Sequence, residues 1–195
     1  MLLDFLLPAK CVVCGKLPKP ICTSCIPNQV VQQSELFGLP LFYAGNLEGS
    51  LQKIIASYKD TQRISLEPVL VRMLNQVVGQ MLERHSADVF AIPPRNRKNF
   101  QRRGFHPIEQ LASHSLLKQL PRVNSSLNRQ VADQRLLPAR QRMGNLRMAF
   151  SLKPGKGDLV LVDDVLTTGA TMAELGRAAT QAGFRVSAIC VIARR

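Results

Sequence analysis

The chain has 195 residues, 46% of them hydrophobic, which fits one sizeable α/β core with a small appendage and excludes a disordered polypeptide. No apolar run approaches the ~20 residues needed to cross a bilayer, so membrane insertion is not expected. Lys and Arg number 26 against 13 Asp and Glu, a formal charge of +13 that calls for anionic partners.

The opening MLLDFLLPAKC is apolar but short. It carries Asp4 and lacks a basic leader and a small-residue cleavage site, so it does not read as a signal peptide, and a cytoplasmic location is expected. Four of the twelve prolines fall in residues 8–27, together with Cys11-x-x-Cys14 and Cys22-x-x-Cys25, two pairs separated by seven residues. Each pair can offer two thiolates from a tight turn, and Gly15 suits the first turn. Four sulfurs would complete a closed, tetrahedral, structural Zn²⁺ site. Disulfides are the competing reading, but no export signal supports an oxidising compartment, and a redox C-x-x-C needs only one pair. Such a ribbon needs its metal to fold. With the polar, linker-like stretch Gln29–Glu35 it is expected to occupy residues 1–35, leaving 36–195 as the main domain.

LPLFYAG reads as a strand and NLEGSLQKIIASYK as an amphipathic helix from about Leu47. Apolar residues from Leu66 to His85 recur at helical spacing and predict a second helix. DVFAI, Asp88–Ile92, reads as a buried strand ended by Pro93-Pro94. HPIEQLASHSLLKQL reads as a helix and VNSSL as a short strand, followed by a long polar stretch, Asn128–Arg147. DLVLVDD is a strand, TMAELGRAATQAG a helix ending at Gly183, and FRVSAICVIARR the last strand. Strand, helix and strand in succession point to parallel pairing. Cys190, in that apolar strand, reads as a buried small hydrophobe.

Charge is concentrated in the middle. Residues 95–147 hold ten Arg and two Lys against Glu109 and Asp133, a net +10. Arg95, Arg97, Lys98, Arg102 and Arg103 crowd nine positions, and Arg129, Arg140, Arg142 and Arg147 are among five more downstream. Such a field attracts phosphates, on a small molecule or on a nucleic acid. Aromatic residues are few, so base stacking is limited to candidates such as Phe100, Phe105 and Phe150. His106 and His114 have no ligand-like spacing and read as surface or helix-packing residues.

LVLVDDVLTTGATM, Leu159–Met172, runs four aliphatic residues into two aspartates and then into a loop with almost no side-chain bulk. A continuous aliphatic strand suits a parallel sheet covered on both faces, and ligands gather beyond the carboxyl ends of such strands. The following helix begins with unpaired N–H groups and a positive dipole end. Gly169 and Ala170 let the backbone approach an anion, and Thr167, Thr168 and Thr171 can donate to phosphate oxygens. Asp163 and Asp164 cannot face a phosphate unmediated and must face sugar hydroxyls, a metal or water. A ribose 5-phosphate answers both demands, with its hydroxyls on the aspartates and its phosphate in the loop. A plain helix N-cap accounts for one aspartate and one threonine, not for the whole run.

VLVDDVLTTGAT resembles the phosphoribosyl-pyrophosphate (PRPP) motif of type I phosphoribosyltransferases. PPRNRKNFQRRGFHPIEQLA, Pro93–Ala112, looks like the R-x-x-x-R-G-F-[NH] signature of the ComF/GntX competence-associated family. NRQVADQRLLPARQRMGNLRMAF, Asn128–Phe150, resembles another stretch of that family, with Arg129, Gln134, Leu137, Arg142, Asn145, Leu146 and Phe150 in its places. The resemblance covers nearly the whole chain. It implies an α/β fold, a type I phosphoribosyltransferase-like parallel sheet flanked by helices, with a small N-terminal zinc ribbon.

Members of this family are implicated in natural transformation, the uptake and handling of imported DNA. The expected function is therefore PRPP binding, with Mg²⁺, through the acidic pair and the TTGAT loop, and single-stranded DNA binding through the Arg-rich surface. The alternative is an active phosphoribosyltransferase. An acceptor would then displace pyrophosphate at the anomeric carbon through an oxocarbenium-like state, with Asp163 and Asp164 catalytic. No segment reads as an acceptor site, whereas a plain small-molecule enzyme has no need of a +10 segment. A third, weaker reading is a scaffold whose ribbon docks a protein partner in DNA uptake or recombination.

Overall fold

The computed structural model describes residues 9–28, 30–129 and 138–195, with the side chains of 139, 140, 142 and 143 also outside the description. The opening MLLDFLLP, Gln134 and Leu137 therefore lie outside the described residues, as do the side chains of Arg140 and Arg142.

The main sheet has five strands: β1 (Gln32–Leu36), β2 (Leu39–Asn46), β3 (Val89–Ala91), β6 (Asp158–Leu166) and β7 (Arg185–Arg194). Their order is β1-β2-β7-β6-β3, with β2, β7, β6 and β3 parallel and β1 antiparallel at the edge. The expected parallel α/β sheet is what the chain forms. The stretch read as a linker largely becomes β1. Its pairing with β2 is closed by a tight turn at Phe37 and Gly38, both at positive φ (55° and 76°).

Helices cover both faces. Helix α1 (Gly49–Asp60), α2 (Glu67–Leu82) and α4 (Pro107–Ser113) share one core with Phe42, Val160, Val162, Cys190 and Ile192. Helix α6 (Ala170–Gln181) covers the other, where Leu175 and Ala178 meet Leu159, Leu161, Ile189 and Val191. Alternate residues of β6 thus serve alternate cores, which is why the strand is continuously apolar.

A short helix, α3 (Arg97–Arg103), follows Pro93-Pro94 where no element was expected. The Asn96 side chain caps it by accepting from Asn99 N at 3.2 Å, and Gly104 ends it at φ 72°. The helix expected over 106–120 is interrupted: α4 stops at Ser113, and Leu116–Gln119 form a 3₁₀ turn. Strand β4 (Ser125–Leu127) pairs antiparallel with β5 (Phe150–Leu152), so the Arg-rich stretch leaves and returns at adjacent strands. Helix α5 (Ala139–Leu146) lies within that stretch. Among the described residues no helix is long and apolar enough to cross a membrane.

The cysteine unit packs onto the main core. Cys11 and Ile21 are buried in the α1–α2 cluster. Lys53 Nζ donates to Val13 O at 3.3 Å, and Arg63 Nη1 donates to Lys10 O at 3.0 Å.

Candidate functional site

Beyond the carboxyl end of β6 lies a cleft of about 490 Å³. One wall is the end of β6 and its loop, with Asp163, Asp164, Thr167 and Thr171. The other is the end of α1 and the α3–α4 junction, with Lys59, Asp60, Phe100, Arg103, Phe105 and His106. Leu146 and Phe150, from the end of α5 and the start of β5, close one side.

The acidic pair lies within β6, which runs on to Leu166 instead of ending at the aspartates, and its two members have different surroundings. Asp164 is 7% exposed, and its Oδ1 accepts from Lys59 Nζ at 2.9 Å. Asp163 is half-buried, and its Oδ1 accepts from the backbone N–H of Asp164 at 2.8 Å. Desolvation, reinforced by the Asp164 charge beside it, raises the Asp163 carboxyl well above the usual carboxylate range, with Lys59 opposing.

The loop turns at Gly169, φ 77°, directly before α6. A Cβ there would lie 3.0 Å from the Phe37 ring, so the hairpin tip and the loop are packed backbone to ring. Thr168 Oγ1 accepts the Ala170 N–H at 3.5 Å, and the N-cap residue, Gly169, brings no side chain to the other N–H groups of the first turn. Thr167 is exposed, and Thr168 and Thr171 are half-buried.

The far wall carries residues that the sequence reading assigned elsewhere or passed over. Arg103, expected on a nucleic-acid surface, is 9% exposed and donates to Asp60 Oδ1 at 3.3 Å. Arg102 reaches the same carboxylate at 3.8 Å and remains half-exposed. His106, read as a surface or helix-packing residue, lines the cleft with its Nδ1 3.4 Å from Glu109 Oε2. Burial lowers its pKa below the ordinary histidine value despite Glu109 and Asp164, which favours the neutral ring. Tyr58, on α1, packs edge-on against Phe105 at 5.3 Å, and burial pushes its phenol up. Among the described residues, Tyr58 Oη, Arg103 Nε and His106 Nδ1 are buried polar atoms without a hydrogen-bond partner, and Arg103 and His106 belong to this wall.

The remaining basic residues divide into committed and exposed. Arg95 grips Glu109 through two bonds of 2.6 and 2.7 Å, lies over the Phe100 ring at 5.1 Å and shares Glu109 with Arg122 at 2.7 Å. These cations, Arg95 foremost, lower the Glu109 carboxyl to about 2. Arg97, Lys98 and Arg147 are exposed. Arg129 is exposed too, and its Nη2 donates to the carbonyls of Asn145 and Arg147 at 2.9 and 3.0 Å, bracing the two ends of the Arg-rich stretch. Of the stacking candidates, Phe150 is buried at 4% exposure, while Phe100 and Phe105 are half-buried at the cleft.

The four clustered cysteines meet as expected. Cys11, Cys14, Cys22 and Cys25 place their sulfurs within 4.8 Å of one another, a set able to hold a metal ion. Gly15, at φ 76°, donates its N–H to Cys11 O at 2.9 Å and closes the first turn. Burial pushes the Cys11 thiol up, but backbone N–H groups of Cys14, Cys22 and Val13 outweigh it and bring it down to about 6. Cys25, beside the sulfurs of Cys22 and Cys14, is pushed up to about 12. Four thiolates this close require a cation between them, and a soft tetrahedral metal fits the donor set. Cys190 is fully buried in β7, where burial alone raises its thiol.

No protein-family model matches the chain. It is 29% identical over 155 residues to Competence protein F of Haemophilus influenzae, covering 74% of this chain and 68% of that protein. It is 33% identical over 138 residues to DNA utilization protein YhgH of Salmonella typhi, covering 65% of this chain and 60% of that protein. The chain is thus similar to proteins named for competence and DNA utilization. The match spans about three fifths of the Salmonella relative's length.

Solved structures with a partial likeness include an adenine phosphoribosyltransferase, 15% identical, with a TM-score of 0.45 and 85% of each chain covered. Another is the orotate phosphoribosyltransferase of Aeropyrum pernix, 19% identical, with a TM-score of 0.44, covering 86% of this chain and 76% of that one.

Proposed function

We propose that this protein acts in the cytoplasm in the handling of imported DNA, holding PRPP with Mg²⁺ in its cleft and single-stranded DNA on its exposed basic face. The observation that carries the PRPP reading is the acidic pair of β6 lining the cleft beside the short loop of small residues, 167–169, that leads into the N-terminus of α6. Thr167–Thr171 and the first N–H groups of α6 take the 5-phosphate, and the carboxyls of Asp163 and Asp164 take the ribose hydroxyls. Mg²⁺ enters with the pyrophosphate and offsets its charge. Names of relatives support the DNA side, as do the exposed Arg97, Lys98, Arg129 and Arg147. The cysteine unit, Cys11–Cys25, holds a structural Zn²⁺ and steadies α1, on which Lys59 and Asp60 are mounted. Protein partners in DNA uptake or recombination would have this ribbon as their docking unit.

Phosphoribosyl transfer remains the second reading. It is favoured by the extent of the cleft beyond the acidic pair, where Phe105 and a neutral His106 offer a flat, partly apolar wall for an acceptor.

Calorimetric titration with PRPP and Mg²⁺ tests the cleft. Binding by the native protein that is abolished in Asp163→Asn with Asp164→Asn, while oligonucleotide binding is kept or strengthened, is the expected result. An acidic-pair variant that binds PRPP like the native protein would refute the site.

A further inference from the structure

We infer that Lys59 is a positioning residue for the acidic pair: it holds the Asp164 carboxylate toward α1 and leaves Asp163 as the carboxyl that meets a ligand. This deepens, and rests on, the reading of the cleft as a PRPP site.

Successive strand residues point to opposite faces of a sheet. Val160 and Val162 lie in the core beneath α1, α2 and α4, and Leu159 and Leu161 in the core beneath α6. Asp163 lines the cleft beside the threonine loop that leads into α6. On the α1 side Lys59 meets Asp164 at 2.9 Å, the two side chains being 20% and 10% exposed. Two adjacent carboxyls with these surroundings have different tasks: one is fixed by an ion pair, the other opens to the cleft.

Other ionising groups around the pair are already engaged or uncharged. Asp60, on α1, faces Arg102 and Arg103 of α3. Tyr58, also on α1, is a neutral phenol, and His106, before α4, lies against Glu109. On β7 the register partners of Asp163 and Val165 are Val191 and Ala193, neither of which ionises. Lys59 is thus the cation hydrogen-bonded to the pair among the described residues. Its ammonium holds the Asp164 carboxylate toward α1, while desolvation, with the Asp164 charge beside it, raises the Asp163 carboxyl against the opposing field of Lys59. Without Lys59 that opposing field is lost, and Asp164 is free to turn.

The test uses the full chain in three forms: native, Lys59→Met and Lys59→Arg. The aspartate carboxyl carbons are titrated by NMR, and Mg²⁺–PRPP affinity is measured by calorimetry between pH 6 and 9. The inference expects Lys59→Met to raise the pair's titration, to weaken binding at neutral pH by about tenfold per unit of that rise, and to regain affinity as pH increases. Lys59→Arg restores most of both. Should Lys59→Met lower Tm but leave the carboxyl titration and the pH profile of binding unchanged, Lys59 is merely structural and the inference fails. Should the native protein bind no PRPP at any pH, the PRPP reading fails, while the carboxyl titration still decides the role of Lys59. If Lys59→Met does not fold, Asp164→Asn reads the same coupling from the other side. It should bring the Asp163 titration down, and an unchanged Asp163 would overturn the inference.

Discussion

Glu174 is the residue whose removal should show how the Arg-rich stretch is tied to the helix that follows the threonine loop. It lies on α6, only 6% exposed, and its Oε1 accepts the Phe150 N–H at 3.0 Å. Arg177 binds it at 2.7 and 2.9 Å and donates to Phe150 O at 2.9 Å. Both main-chain groups of Phe150 are thereby fixed to the helix that the threonine loop opens. In Glu174→Ala, Arg177 loses its carboxylate and Phe150 N–H loses its acceptor. Removing one partner of a buried pair costs about 3–5 kcal/mol, but Arg177 is 30% exposed and can recover hydration, which reduces the expected loss to about 2–3 kcal/mol. For a chain of this size that is a fall in Tm of about 5–10 °C. Arg177 holds the Glu174 carboxyl below its ordinary pKa against the burial that would raise it. The stabilisation is therefore present above the ordinary carboxylate range and lost as pH falls through the lowered value, so native protein and variant should converge in acid. Thermal unfolding across pH, with amide exchange read at Phe150–Leu152, is the assay. Unchanged exchange at β5 together with a Tm within about 1 °C of native would refute the reasoning.

Three further outcomes are expected. Glu109→Ala should free Arg95 and Arg122, strengthen oligonucleotide binding at low salt and steepen its salt dependence, measured by fluorescence anisotropy. Because Glu109 is held down at about 2 by Arg95 and Arg122, native protein should lose that stabilisation as pH falls from the ordinary carboxylate range toward 2, and the variant should show no such loss. Treatment with a strong chelator should release one metal ion per chain, lower Tm and expose Cys11 to thiol reagents. A Tm indifferent to chelation would refute a structural metal.

What the sequence shows well is what local order determines. Strand β6 and its loop are legible because an unbroken aliphatic run, two acids and a string of small residues have few other uses. The cysteine unit is legible for a similar reason, since its spacing alone brings four sulfurs together. Helix α3 is not, because Arg97–Arg103 carries almost no apolar periodicity and is set by the Asn96 cap and the Gly104 stop. Strand β1 reads as polar linker because an edge strand needs little hydrophobicity once its hairpin turn is made. Partners decide the rest. Arg103 looks like any surface cation until α1 brings Asp60 to it, and His106, whose near neighbour in sequence is Glu109, shows no sign of the cleft that it lines with Asp164. Lys59 lies 105 residues from the aspartate it binds, a distance over which spacing carries no signal.

Affinity for a labelled single-stranded oligonucleotide, measured across a salt series with and without PRPP and Mg²⁺, tests the central claim most directly. The account predicts binding with a steep salt slope, an affinity shifted by PRPP, and a slope reduced in Arg97→Ala with Lys98→Ala. Absence of oligonucleotide binding even at low salt would contradict it, and would turn attention to an acceptor for the phosphoribosyl group.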